Sequence, residues 1–290
     1  MGKRFIGRFM LFYKKIITYL RISRPVNALI TFLVISVACI ISIYGDYSVL
    51  KIILAGLSGA LTASAGNVIN DYFDIEIDKV NRPHRVLPKG ELTLKEALNF
   101  YIFLTGIALL FSVFISLLAL LEVFFAAALL FLYSYRIKRI PLLGNFVVAF
   151  LTGFAFIYGG IAVNNVEAAM IPALFAFLIN FIREIVKDME DIEGDKQQGI
   201  NSYPAVHGFK KAKTLIVFIT IVLIILTVFP FIQELYKIEY FLVVMIFVNP
   251  LLVYIIKSLF DDDSNKNLNK LSNLLKLNMV IGLTAIFLGK

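Results

Sequence analysis

Nine apolar runs constrain this chain more than any other feature. They fall at approximately 26–44, 47–69, 98–117, 119–135, 144–163, 166–183, 213–230, 239–257 and 272–289, and the third and fourth are nearly continuous. A helix rising about 1.5 Å per residue needs about 20 apolar residues to cross the hydrocarbon core of a bilayer. Only helices and closed barrels satisfy their backbone polar groups there, and continuous apolar runs of this length suit helices. The sequence therefore predicts an all-α, multi-pass transmembrane bundle of about nine spans. Composition agrees: 60% of the 290 residues are hydrophobic, 17% are charged and the mean hydropathy is +0.86.

The first 24 residues are different. Lys3, Arg4, Arg8, Lys14, Lys15, Arg21 and Arg24 alternate with Phe, Leu and Tyr. A cleaved signal peptide would have an uninterrupted apolar core, so residues 1–24 are expected to form an amphipathic helix on the inner membrane surface, with the amino terminus cytoplasmic. Counting spans from there leaves Lys51, Lys237 and Lys290 outside and the other 25 of the 28 Lys and Arg residues inside. This is the distribution that the positive-inside rule demands. The net charge of +8 thus reports topology, and no nucleic-acid partner is expected. Cys39 has no second cysteine to pair with and reads as a small core residue.

One polar pattern occurs twice. Asn67, Asp71, Asp74 and Asp78 close the second apolar run; Glu184, Asp188, Asp191 and Asp195 close the sixth, each 117 residues later. Behind each comes a loop with a proline (Pro88, Pro204) and a glycine (Gly90, Gly208), and then a new span. We read a single membrane domain built from two pseudo-repeat halves, about 25–140 and 141–290. The copies lie four spans apart, so they share one orientation, and their acidic faces can converge on a central cavity at the cytoplasmic side.

At 100° per residue, each set falls within about 60° of a helix face. Six aspartates on two such stripes repel one another unless cations intervene. Oxygen-only carboxylate sets suit a hard divalent ion, magnesium above all where phosphate is also bound, and the absence of His and Cys argues against zinc. The expected metal ligands are Asn67, Asp71, Asp74, Asp78, Asp188, Asp191 and Asp195. Glu76, Glu190 and Glu193 lie off the stripes and read as rim charges, as does the consecutive run Asp261, Asp262 and Asp263. His84 and His207 read as structural or solvated. Around the acids stand cations: Arg24 beside Asn27, Arg82 and Arg85 after the first stripe, Arg136, Lys138 and Arg139 between the halves, and Lys187 and Lys196 flanking members of the second stripe. Acid-bound metal ringed by Arg and Lys is suited to a pyrophosphate. A cation-coupled transporter is the rival reading, but it would carry its ionisable groups near the midplane.

These residues carry a resemblance. NDYFDIEID (70–78), KDMEDIEGD (187–195), RPVN before the first span, NRPHRVLPKG (81–90) and the basic YSYRIKR (133–139) resemble the motifs of the UbiA superfamily of intramembrane prenyltransferases, over nearly the whole chain. REIVKDMEDIEGD followed by GINSYP is most similar to the branch that adds a second geranylgeranyl chain during archaeal ether-lipid synthesis. Tyr203 departs from the Leu that many members carry before the proline. The resemblance implies Mg2+-dependent transfer of a geranylgeranyl group from its pyrophosphate to the hydroxyl of geranylgeranylglyceryl phosphate, a lipid-like phosphate acceptor. Prenyl transfer to an aromatic acceptor is the alternative. It also implies Asp71, Asp74, Asp191 and Lys138 as catalytic residues. Arg24, Asn27, Arg82, Arg85, Lys138, Arg139 and Lys187 are the implied substrate contacts.

Overall fold

The computed structural model describes residues 2–192 and 201–290, with side chains from residue 13 onward. Asp195, Glu193 and Lys196 lie outside the described residues. An amino-terminal helix α1 (Gly2–Ser23) leads into α2 (Pro25–Ser42) and α3 (Val49–Phe73), followed by a short α4 (Ile75–Asn81). Then come α5 (Leu94–Val113), α6 (Leu117–Tyr135), α7 (Leu143–Ala162), α8 (Val166–Glu190) and α9 (Tyr203–Ile232). The last two are α10 (Ile238–Asp261), which contains a π-helical turn at Val244–Val248, and α11 (Asn265–Leu288). Among the described residues nine helices, all but α1 and α4, are long and apolar enough to span a bilayer. The chain is an integral multi-pass membrane protein.

Several helices outrun their apolar stretches. The second and sixth spans extend to Phe73 and Glu190, because the backbone hydrogen-bond ladder continues through polar residues. The segments 70–73 and 184–190, expected in cytoplasmic loops, are therefore the last turns of α3 and α8. Similarly, α5 begins at Leu94 because Thr93 and Glu96 form a reciprocal capping box, four residues ahead of the apolar run. The break between the third and fourth spans falls at residues 114–116.

The helices cluster into two compact units. The first holds the chain up to Val37, Asp46–Tyr135 and Ile161–Val163; the second holds Ala38–Gly45, Arg136–Gly160 and Asn164–Lys290. In the first, α3 packs against both α5 and α6. Small residues on α3 let α2 approach: a Cβ on Gly59 would stand 2.0 Å from Ile35 Cδ1. Helix α1 is tied to the same unit by the Lys15–Glu96 ion pair and by Arg21, which donates to Glu91 at 2.8 Å. Its hydrogen bond to Glu96 raises the Lys15 pKa. Ile22 is buried, while Ile16, Ile17 and Leu20 are exposed, as an interfacial helix requires.

Local geometry is shared by helices α3 and α8. Helices α3 and α8 each have 25 residues and start 117 residues apart. Ser48 and Asn165 cap them by accepting the backbone N–H groups of Lys51 and Ala168. Each ends at an aspartate of the acidic motif in nearly the same conformation: Asp74 at φ −93°, ψ 3° and Asp191 at φ −89°, ψ 4°. Gly90 and Gly208 both take positive φ, 68° and 81°, where an L side chain would be strained.

Candidate active site

The first acidic motif is built from two elements of one unit, α3 and α4. Asn67 and Asp71 ride on the last turns of α3, Asp74 ends that helix, and Asp78 sits on α4. The stripe is therefore bent at Asp74 rather than carried on one straight helix. Asp71 and Asp78 are nonetheless buried, at 5% and 4% exposure, and both meet the same guanidinium. Arg85 Nη1 donates to Asp71 Oδ1 at 3.1 Å and to Asp78 Oδ2 at 2.6 Å. Arg24 Nη2 donates to the same Asp71 Oδ1 at 2.6 Å.

Local sequence holds both arginines in place. After Arg82 the chain makes consecutive turns, with the N–H of Lys89 bonded to Arg85 O and that of Glu91 to Val86 O. Val86, Leu87 and Leu92 then bury themselves against Ile22, Ala65 and Val68, so the loop is an apolar plug that presents Arg85 to the acids. Arg24 lies between α1 and α2 with φ 53°, a left-handed backbone that costs an arginine about 1–2 kcal/mol. Asn67 Nδ2 donates to Ser23 O at 3.2 Å, and Asn70 Nδ2 to Asp74 Oδ2 at 3.0 Å. Asn27 is exposed on the first turn of α2, its backbone N–H bonded to Arg24 O. Arg82 is exposed, and its backbone caps α4 through Asp78 O.

The second motif belongs to the other unit. Glu184 and Asp188 are half-buried on α8, whereas Asp191 is exposed. Asn145 Nδ2 donates to Asp188 Oδ2 at 2.9 Å, a contact that no motif in the sequence announced. Arg183 Nη1 donates to Glu184 Oε1 at 2.5 Å and reaches Asn180 Oδ1 at 3.5 Å. Lys187 is exposed, and Glu190 accepts from Asn269 of α11 at 2.7 Å rather than standing free at the rim. Lys138 and Arg139 form a single 3-10 turn before α7. That turn crosses the start of α7 so closely that a Cβ on Gly144 would lie 3.2 Å from Lys138 Cα.

A signal for Asn145 existed. Arg24–Asn27 and Leu142–Asn145 are equivalent at an offset of 118: Leu142 repeats the left-handed backbone of Arg24, at φ 62°, and Asn145 stands where Asn27 does. The first half fills this role on Asp71 with Arg24, the second half fills it on Asp188 with an amide. Asn145→Ala is expected to lower catalytic efficiency about tenfold or more, the worth of a hydrogen bond to a charged group, in a pyrophosphate-release assay. A change under twofold would remove Asn145 from the site.

The acidic run expected to be solvated is partly structural. Asp263 pairs with the largely buried Lys213 at 2.5 Å, and Asp262 accepts from Ser264, whose N–H and hydroxyl hold its carboxyl below the usual range. His84 is exposed, and His207 packs on Tyr203 with ring centroids 4.7 Å apart.

Among the described residues no three acidic, His or Cys side chains form a ready cation cage. The donor chemistry still fits a hard divalent ion. Two buried carboxylates of the first motif already converge on one positive group, and every ligand candidate offers oxygen. Their arginines supply the counter-charge that a buried acid pair requires.

The UbiA prenyltransferase family matches residues 28–280 of this chain. Digeranylgeranylglyceryl phosphate synthase of Methanosphaera stadtmanae is 35% identical over 271 residues, 93% of this chain and 98% of that protein. The enzyme of the same name from Methanocaldococcus jannaschii is 36% identical over 278 residues, 96% of this chain and 98% of that protein. A structure solved in a study of digeranylgeranylglyceryl phosphate synthase in membranes superposes with a TM-score of 0.85 at 36% identity, covering 95% of this chain and 98% of its own. The fold is shared further afield by a UbiA homolog from Archaeoglobus fulgidus, bound to GPP and Mg2+, with a TM-score of 0.68 at 21% identity over 93% of this chain and 99% of that one.

Proposed function

The chain belongs to the UbiA prenyltransferase family, and from that membership we infer that it transfers a geranylgeranyl group from geranylgeranyl pyrophosphate to the hydroxyl of geranylgeranylglyceryl phosphate. The observation that carries the acceptor is the end-to-end likeness, at 35–36% identity, to two synthases named for that product. The active site lies on the cytoplasmic side, where the positive-inside count puts both acidic motifs. Asn67, Asp71, Asp74, Asp78, Asp188, Asp191 and the undescribed Asp195 are the residues that would hold magnesium, which when bound would supply charge neutralisation of the donor pyrophosphate as a leaving group.

The protein's own groups do the rest. Lys138 and Arg82 hold the pyrophosphate oxygens, with Arg24 and Asn27 as further contacts. Arg24 and Arg85 hold the Asp71 carboxylate in place through hydrogen bonds. Arg139 and Lys187 add positive charge for a second phosphate. The bond between the allylic carbon and the pyrophosphate oxygen breaks, the acceptor hydroxyl oxygen bonds to that carbon, and its proton passes to a carboxylate or to the released pyrophosphate.

Purified protein in detergent is therefore expected to form product from geranylgeranyl pyrophosphate and geranylgeranylglyceryl phosphate, with magnesium, and none from 4-hydroxybenzoate. Product from the aromatic compound alone would keep the chemistry and overturn the acceptor. Failure to release pyrophosphate with any acceptor would overturn both.

A further inference from the structure

Within the second unit, α8 carries a second stripe with the same four, three, four spacing as the acids, and the mechanism above leaves it unused. Pro172, Ala176, Ile179 and Arg183 fall on one face of the helix, within about 60° of arc at 100° per residue. The acidic stripe lies about 100° around from it by the same count. The first three of these residues line a partly open slot with a cavity volume of about 50 Å³, whose other walls come from Leu223 of α9, the π-turn of α10 at Val244–Val248, and Met279 and Gly282 of α11. The fourth stands one helical turn, about 6 Å, closer to the acidic end.

The two parts want different chemistry. The polar side chains in the slot wall spend their donors inside the protein: Tyr240 on Thr227 O at 2.7 Å, Asn278 on Val248 O at 2.9 Å, and Thr227 on Ile224 O at 2.7 Å. An occupant of this slot brings hydrocarbon and no head group. Arg183 is the opposite. It is a guanidinium on a membrane span with only 19% of its side chain exposed, and among the described residues its buried Nε has no hydrogen-bond partner. Among the described residues, Nη1 alone of its donors is bonded, to Glu184 and Asn180. Intramembrane arginines are costly unless they meet an anion, and the planar fork of a guanidinium matches phosphate oxygens. Lys187, one turn further out on α8, adds a second cation.

We propose that Arg183 and the slot beneath it form the site for the phosphate-bearing acceptor, a single-chain lipid whose phosphomonoester rests on Arg183 and whose prenyl chain lies along Ile179, Ala176 and Pro172. The assignment rests on the function proposed above and names the substrate that this part of the molecule takes. A monophosphate needs less counter-charge than a pyrophosphate, so arginine suffices for it where the donor calls on the acidic motifs. The position beside the acidic stripe, on the same helix, brings the acceptor's glycerol end to the reacting carbon while its tail points away.

The test uses full-length protein, initial rates with each substrate varied in turn, and two variants that act at opposite ends of the site. Arg183→Gln is expected to raise the KM for geranylgeranylglyceryl phosphate about 30-fold or more, the usual effect of removing one partner of a buried charge pair, and to leave the donor KM within twofold. It should also lose the preference for the phosphorylated acceptor over geranylgeranylglycerol. Gly282→Leu adds a side chain to the slot wall at a position where a Cβ meets no atom within 4 Å. It should raise the acceptor KM about tenfold by displacing a few methylenes, with no fall in Tm. Wild-type protein that fails to use the glyceryl phosphate would overturn the function itself. Active wild type with an unchanged acceptor KM in both variants, or a rise in the donor KM instead, would overturn the site.

Discussion

Asp71→Asn is expected to lower the rate of pyrophosphate release by at least about 10³-fold, with the loss in kcat and only a small change in donor KM. The size follows from what the carboxylate does at the step itself: charge stabilisation at a developing anion is worth several kcal/mol when it is made chiefly in the transition state. Asparagine keeps the shape of the side chain and one oxygen acceptor but removes the charge. Arg24 and Arg85, which meet Asp71 at 2.6 and 3.1 Å, would then lie partly uncompensated. Asp191→Asn is expected to cost a similar factor although Asp191 is exposed, ends α8 and, among the described residues, has no arginine upon it. The contrast is informative, because a purely structural role predicts a large effect at the buried residue and none at the exposed one. The double variant should fall little below either single one, as for groups that act as a unit. Excess chelator should abolish wild-type activity and magnesium restore it. Retention of more than a tenth of the activity by Asp191→Asn, or additive losses in the double variant, would separate the two motifs.

Much of the architecture could be read from the sequence because bilayer thickness is a fixed ruler. Nine apolar runs became nine spanning helices among the described residues, with boundaries off where polar residues continue a helix, as at Phe73 and Glu190. The acidic motifs were legible for another reason: the same spacing occurs twice, and Asp74 and Asp191 do end their helices alike. The hydrogen bond from Asn145 to Asp188 was not, since it joins residues 43 apart through the packing of α7 beside α8. Nor was the bend at Asp74, which depends on one residue leaving helical dihedrals between two helices of compatible sequence. Arg183 stood within a motif used for recognition, but its side-chain burial and unused donors are properties of the folded unit. Pairing of Arg85 with both Asp71 and Asp78 was likewise hidden, because it requires the 82–92 loop to fold back under α1.

That pairing sets up the largest expected stability effect. Arg85→Met removes the group that Asp71 and Asp78 share while keeping much of its apolar stem, so the loss is mostly electrostatic. Breaking a buried pair from one side typically costs about 3–5 kcal/mol, because the remaining charge is left without compensation. Two features pull the figure toward the lower end: Arg24 still covers Asp71, and Arg85 retains 17% exposure, so water screens part of the interaction. A clear fall in Tm in detergent is expected, with the apolar plug of Val86, Leu87 and Leu92 loosened at the same time. Adding Asp78→Asn should recover part of the loss, since the repulsion between two close carboxylates goes with the second charge. Magnesium supplies the sharper discrimination. If the two acids are metal ligands, the ion replaces the missing guanidinium as their counter-charge and stabilises only the folded state, by an amount that grows with its concentration over Kd. Magnesium should therefore raise the Tm of Arg85→Met more than that of the parent protein, and should do nothing for Arg85→Met combined with Asp71→Asn and Asp78→Asn. Equal, small shifts in all of these proteins would mean that the first motif is a structural ion-pair cluster and that metal is held elsewhere.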